Sequence, residues 1–224
     1  MADADGRRRQ QLGDAAAALG LLVSPAMLDS LMAYLQMLQR WNKVYNLTAL
    51  RDPDEMLTHH LLDCLAVLPA VERHAASRPR AEQAMRILDV GSGAGLPGVV
   101  LAVLHPAWQV SCVDAVAKKA SFIRQVGAEL RLQNLHALHA RVEQLAPSAG
   151  RFDLITSRAF ASLADFTALS AAVLAEQGVW MAMKGKVPTD EAAPPGVQMF
   201  HVEQLQVPGL EAQRCLVWLR RDAA

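Results

Sequence analysis

The chain has 224 residues, 52% of them hydrophobic, and its 22 basic residues balance its 22 acidic ones. That is enough for one well-buried core with a small accessory region, and a neutral chain with pI near 7.1 is a poor candidate for coating nucleic acid unselectively. Three cysteines without CxxC spacing read as reduced thiols of a cytoplasmic protein. No apolar run is long enough to cross a bilayer, and the polar start MADADGRRRQQLGD has no signal-peptide core.

Residues 1–80 read as helical. Leu28, Leu31, Met32, Leu35 and Leu38 recur at the spacing of one helical face. Ser24-Pro25 just ahead of them supplies a cap and a proline at the first turn. A second helix is expected from Asp54 to Val71, burying Met56, Leu57, Leu61, Leu65 and Leu68, and SRPRAEQ at 77–83 reads as a linker. The expected organisation is a helical extension, 1–80, packed with a second region, 81–224, as one compact unit.

From residue 85 the pattern changes. MRILDV, WQVSCVD, LHALHA, FDLITS and GVWMAMK are short β-prone runs, separated by the helical stretches LPGVVLAVLH, AKKASFIRQVGAELRL and FTALSAAVLAE. Such alternation predicts a parallel sheet covered on both faces. VQMFHVEQLQV and AQRCLVWLRR then follow each other across the turn PGLE with no helix between them. The fold class expected is α/β and Rossmann-like: a mostly parallel seven-stranded sheet ending in an antiparallel hairpin.

The segment Asp89 to Gly98, DVGSGAGLPG, joins the first strand to the first helix of this region. Read from Gly93, GAGLPG matches the dinucleotide fingerprint GxGxxG. Pro97 then falls where a helix N-terminus should offer N–H donors to pyrophosphate, and proline removes one. Read from Asp89, the segment is D-x-G-x-G-x-G with Gly91, Gly93 and Gly95; the helix simply starts around Pro97 and no phosphate is needed. Asp114 ends the second strand, where an acid can accept both hydroxyls of a ribose. The plainer alternative is a tight turn and a helix-capping aspartate with no ligand.

DVGSGAGLPG, VDAVAKKASFIRQV, ARVEQL, FDLITSRAFASL and MKGK together resemble an S-adenosylmethionine-dependent methyltransferase. With WNKVYNLTALRDPDEMLTHHLLD and QLQVPGL added, the resemblance narrows to the RsmG family, also called glucose-inhibited division protein B, small-subunit rRNA guanine-N7 methyltransferases. It covers nearly the whole chain. Two positions depart from the family pattern: Cys64 where a serine is usual, and His59 in place of a basic residue. The resemblance implies a class I methyltransferase fold, S-adenosylmethionine as cofactor, and 16S rRNA or the small ribosomal subunit as partner. It places the cofactor at Gly91, Leu96, Asp114, Val142, Glu143 and Arg158, with Gly93 and Gly95 completing the turn. On this reading Asp114 takes the ribose diol, Val142 and Glu143 flank the adenine, and Arg158 holds either the cofactor carboxylate or an RNA phosphate.

No Ser–His–Asp set, H-E-x-x-H or Cys/His cluster is present, so no metal is expected and no catalytic residue is assigned. His60 and Asp63 at i, i+3 are either a base with its orienting partner or a helix hydrogen bond. His136 and His139 read as strand residues of no special role. Trp41 and Tyr45 at i, i+4 suit core packing, or else a stacking platform. Lys118, Lys119, Lys184 and Lys186 fall with Arg158 on the carboxyl rim of the expected sheet, which makes the four lysines candidates for RNA binding. The competing readings are a methyltransferase for a small molecule or a protein, a nicotinamide-dependent oxidoreductase, and a cofactor-sensing module without turnover.

Overall fold

The computed structural model describes residues 2–78, 81–145, 151–158, 160, 162–187 and 191–222. Helix α1 spans Ala2–Ala18 and α2 spans Pro25–Tyr45. α2 starts where the sequence signals it: the Ser24 side chain accepts from the Met27 amide at 3.2 Å, and Pro25 opens the first turn. It ends at Asn46, which adopts the left-handed conformation of a C-cap.

The single helix expected over 54–71 is instead broken. α3, Pro53–Met56, leads into a π-helical turn, Leu57–Leu62, then α4, Asp63–Leu65, and a separate α5, Leu68–Ser77. Pro69 lies in the first turn of α5; it has no N–H to give to a preceding turn, so the chain restarts rather than continues. Of the linker, residues 79 and 80 lie outside the described residues.

Seven strands form one sheet in the order β3-β2-β1-β4-β5-β7-β6. β1 is Arg86–Val90, β2 Gln109–Asp114, β3 Leu135–His139, β4 Phe152–Arg158 and β5 Leu174–Lys184, and these five are parallel. β6, Val197–Leu205, and β7, Arg214–Arg221, form the antiparallel hairpin, with β7 pairing to β5 and β6 at the edge. Between the parallel strands run α6, Gly98–Leu104, α7, Ala117–Glu129, and α8, Leu163–Ser170.

The stretch FTALSAAVLAE is only partly helical. α8 gives way to a 3-10 turn at Ala171–Val173, and β5 begins at Leu174. Arg221 donates to the carbonyls of Ala171, Ala175 and Leu174 at 2.8, 3.0 and 3.3 Å. A guanidinium from the last strand thus takes carbonyls that a longer helix would have used itself.

One face of the sheet packs against α6 and α7, on which α2 packs in turn, around Leu35, Val100 and Ile123, in a continuous apolar cluster that also takes in Leu12 of α1 and Leu61 of the π turn. The other face carries a smaller cluster with Phe166 and Trp180. Among the described residues no helix is long and apolar enough to cross a membrane.

Pro97 precedes α6, and the Gly98 amide donates to the buried Asp89 carboxylate at 2.9 Å. A Cβ at Gly98 would lie 2.3 Å from Cys112 Sγ and 3.0 Å from Asp89 Oδ2. Gly98→Ala is therefore expected to lower stability by at least about 1 kcal/mol through overpacking. Urea unfolding checks this, and Cys112→Ala in the same chain should recover part of the loss; an unchanged midpoint for Gly98→Ala would refute it.

Candidate active site

Strand order reverses between β1 and β4, and in open α/β sheets ligands bind at the carboxyl ends beside such a point. Two clefts lie there. The first, of about 200 Å³, is walled by Gly91, Asp114, Val142 and Glu143, with Phe160 and Leu169 also in the lining. Gly91 and Gly93 have φ of 64° and 59°, and neither would bring a Cβ against any side chain within 4 Å. The turn needs glycine for its backbone conformation and leaves open space above it.

Asp114 shapes this turn. Its Oδ2 accepts from the Gly93 amide at 2.9 Å and its Oδ1 from the Val116 amide at 2.8 Å. A carboxylate has about four acceptor sites, so two remain for a diol. Lys119 Nζ stands 3.7 Å from the same carboxylate. The open glycine turn, an acid with acceptor capacity left and an aromatic edge at Phe160 fit a nucleoside of the kind S-adenosylmethionine carries.

Gly95 and Leu96 do not line this cleft. A Cβ on Gly95 would meet Val99 at 2.6 Å and Ile123 at 3.2 Å, and Leu96 is buried in the core. They seat the turn on α6 and α7. Tyr34 does the same from α2, donating its hydroxyl to the Ala94 carbonyl at 2.9 Å.

The second cleft, of about 430 Å³, is walled by His59, His60, Asp63, Arg158, Lys184 and Arg214, with Met183 and Gly185. It holds Arg158, which the sequence had grouped with the cofactor residues. Its frame begins in the WNKVYNLT segment. Asn42 donates to the Leu50 carbonyl at 2.8 Å and accepts from the Thr48 amide at 2.9 Å, folding residues 46–50 back on α2. Thr48 Oγ1 lies 2.9 Å from His60 Nε2. Arg158 donates to the His59 carbonyl at 3.1 Å and lies 3.4 Å from His60 Nδ1 through both Nη atoms.

Nδ1 is also 3.1 Å from the His59 carbonyl, which by itself would favour a proton there. A guanidinium has only donors, so the tautomer with Nδ1 accepting satisfies Arg158 and turns Nε2–H to Thr48, whereas the opposite tautomer satisfies the His59 carbonyl. Burial, and then the Arg158 charge, pull the His60 pKa down to about 4, so the ring is neutral at physiological pH. The π turn carries both His59 and His60, and such turns are frequent at functional sites.

Asp63 is buried between two arginines: Arg214 Nε donates to Oδ1 at 2.8 Å, and Arg158 Nη1 lies 3.5 Å from Oδ2. Lys184 is paired with Glu191 at 3.0 Å, while Lys118 and Lys186 are exposed. Asp89, beneath the glycine turn, is pushed up to about 7 by burial, partly offset by the Gly98 amide. Cys64, Cys112 and Cys215 are free and buried, and burial raises each thiol, which removes them as nucleophiles. The Trp41 ring lies tilted, 5.4 Å from Phe122 and 5.0 Å from Tyr45, which stays 42% exposed. Among the described residues no group of three or more His, Cys, Asp or Glu could hold a metal.

Arg214 was not among the residues expected, and neither was Phe160. Nothing in the run AQRCLVWLRR reveals that its strand inserts beside β5, and that insertion is what brings Arg214 to the rim.

This sheet order, with a glycine turn after β1 and an acid ending β2, is the Rossmann-like fold of class I methyltransferases. Solved structures with the same fold include MtNAS in complex with MTA and tNA, with a TM-score of 0.56 at 14% identity, covering 87% of this chain and 73% of that one. Magnesium protoporphyrin IX methyltransferase from Synechocystis PCC 6803 aligns with a TM-score of 0.53 at 11% identity, over 84% and 97% of the two chains.

The family model described as rRNA small subunit methyltransferase G matches residues 27–217. Ribosomal RNA small subunit methyltransferase G from Acidovorax sp. (strain JS42) is 59% identical over 214 residues, 93% of each chain. The protein of the same name from Polaromonas naphthalenivorans (strain CJ2) is 60% identical over 205 residues, 91% of each. The chain belongs to this family.

Proposed function

We propose that this protein transfers a methyl group from S-adenosylmethionine to small-subunit (16S) rRNA, and that the acceptor is N7 of a guanine. Family membership supports the cofactor and the rRNA substrate. One observation favours an acceptor such as N7, which has a lone pair and no proton to remove: the buried groups of the second cleft are already engaged. Asp63 is held by two arginines, and His60 is bonded at both ring nitrogens. His59 is the one imidazole of the wall whose ring makes no hydrogen bond among the described residues.

When bound, S-adenosylmethionine supplies a methyl already activated on a sulfonium. The chain's part is to bind and align: Gly91 and Gly93 make room for the cofactor, Asp114 takes its ribose, and Val142 with Glu143 borders the base. Alignment of this kind can supply most of the acceleration. N7 lies on the major-groove edge, which is too deep and narrow to enter in an A-form helix. The target guanine is therefore read in a loop, an opened junction or a flipped state.

Nucleoside mass spectrometry of rRNA from cells with and without the protein tests the whole reading; unchanged 7-methylguanosine would overturn it. For the mechanism, His59→Ala and His60→Gln should each keep single-turnover rates within about tenfold, against the 10²–10⁴ lost with a true general base. A thousandfold fall in a folded, RNA-binding variant would assign that histidine as the base. His60→Gln should also change the pH dependence of stability. The native ring resists protonation, so its stabilising contribution is complete above its ordinary value of 6.5 and lost as pH falls toward about 4. Equilibrium unfolding between these limits should show a flatter pH dependence in the variant.

A further inference from the structure

The second cleft has an imbalance of charge. Arg158, Arg214 and Lys184 face it against Asp63 and Glu191, which leaves one positive charge over. Lys184 and Glu191 are matched to each other, so the surplus belongs to the two arginines that share Asp63.

Those arginines are not equivalent. Arg158 is turned inward, with its donors on the His59 carbonyl and the His60 ring. Arg214 gives Nε to Asp63 and Nη1 to the Gln213 carbonyl at 2.8 Å, and its Nη2 has no partner among the described residues. Asp63, buried as a residue, fixes this side chain in place through its carboxylate. Across the cleft, Gly185 would bring a Cβ near no atom within 4 Å, so the backbone leaves room there.

A pinned guanidinium with a spare planar donor and an uncompensated charge suits a phosphodiester, which carries one negative charge and accepts in a plane. Arg158, the last residue of β4, lines this cleft, and Phe160 lines the first one. A phosphate held at Arg214 therefore lies outside the first cleft, on the wall that Arg158 shares.

We propose that Arg214, pinned by Asp63, is a phosphate-binding residue that seats the backbone of the substrate RNA in the second cleft. This rests on the rRNA methyltransferase reading above. The other anion that could use the same donor is the carboxylate of the cofactor, and the experiment separates the two. Binding of 16S rRNA is measured over a salt series, and binding of S-adenosylhomocysteine by calorimetry, for wild type, Arg214→Gln and Arg214→Lys.

Arg214→Gln should flatten the log K against log salt slope by about 0.7–0.9, the loss of one phosphate contact. It should leave S-adenosylhomocysteine affinity within about twofold. Arg214→Lys keeps the charge and should keep the wild-type slope. An unchanged slope in the Gln variant, an equal loss of slope in the Lys variant, or lost S-adenosylhomocysteine affinity with intact RNA binding would each overturn the proposal. If the Gln variant does not fold, phenylglyoxal labelling of the wild-type protein decides: rRNA should protect Arg214, and S-adenosylhomocysteine alone should not. Absent protection by rRNA, or full protection by S-adenosylhomocysteine alone, rejects it. A wild-type protein that transfers no methyl to small-subunit rRNA would instead sink the wider reading.

Discussion

Replacing Asp63 by alanine should cost about 3 kcal/mol of folding stability. Removing one partner of a buried ion pair typically costs about 3–5 kcal/mol, because the remaining charge is left without compensation. The lower end applies here: Asp63 is 5% exposed at its side chain, but Arg158 and Arg214 are 26% and 23% exposed and can draw on water. The loss is structural as well as electrostatic. Asp63 ties the helical segment at its own position to the start of β7, 151 residues away. Urea unfolding of Asp63→Ala measures the cost, and adding Arg214→Met should recover part of it, since one of the stranded charges is then gone. A change below about 1 kcal/mol would mean that the two guanidiniums are stabilised by solvent rather than by this carboxylate.

Asp114→Ala should weaken S-adenosylmethionine and S-adenosylhomocysteine by about 1–3 kcal/mol, or roughly five- to 150-fold, the range for leaving buried polar groups without partners. Two causes act in the same direction. The carboxylate lines the first cleft at the end of β2, where a ribose diol would lie. It also holds the amides of Gly93 and Val116, so its removal loosens the glycine turn and the start of α7 together. Asp114→Asn separates the causes: an amide oxygen can still accept one backbone bond while the charged acceptor for the diol is lost. Calorimetry with S-adenosylhomocysteine is the measurement. Unchanged affinity in both variants would place the ribose elsewhere.

The strands and the glycine turn were legible because their signals are local. Alternation of β-prone runs with helical stretches, the D-x-G-x-G-x-G segment and an acid at the end of the next strand need only neighbouring residues to be read. All seven strands fall on the predicted runs, with β5 starting early, at Leu174, and α2 begins at the predicted cap. The break of the helix after Leu65 also had a local mark in Pro69, but the continuous apolar face from Met56 to Leu68 outweighed it.

Other features were decided by contacts between distant segments. FTALSAAVLAE has the composition of a helix, yet Arg221 captures the carbonyls that would have extended it, and Leu174 joins β5 instead. Glycines of one turn took different tasks. Gly91 and Gly93 face open space, whereas Gly95 is pressed against α6 and α7, and spacing alone cannot tell a glycine that admits a ligand from one that admits a helix. Arg158 was placed at the rim by its position after β4, but its partners, His60 and Asp63, come from a helical segment nearly a hundred residues earlier. Arg214 reaches the same carboxylate only because β7 inserts beside β5 and leaves β6 at the edge. Either strand of the hairpin could have paired with β5 on composition; the choice rests on side chains buried on both faces of β7, against the half-exposed pattern of β6. The sequence by itself determined the strands, the glycine turn with Asp114 behind it, and the family. The cationic cleft depends on tertiary structure, because its charged groups come from segments that meet only when the chain is folded.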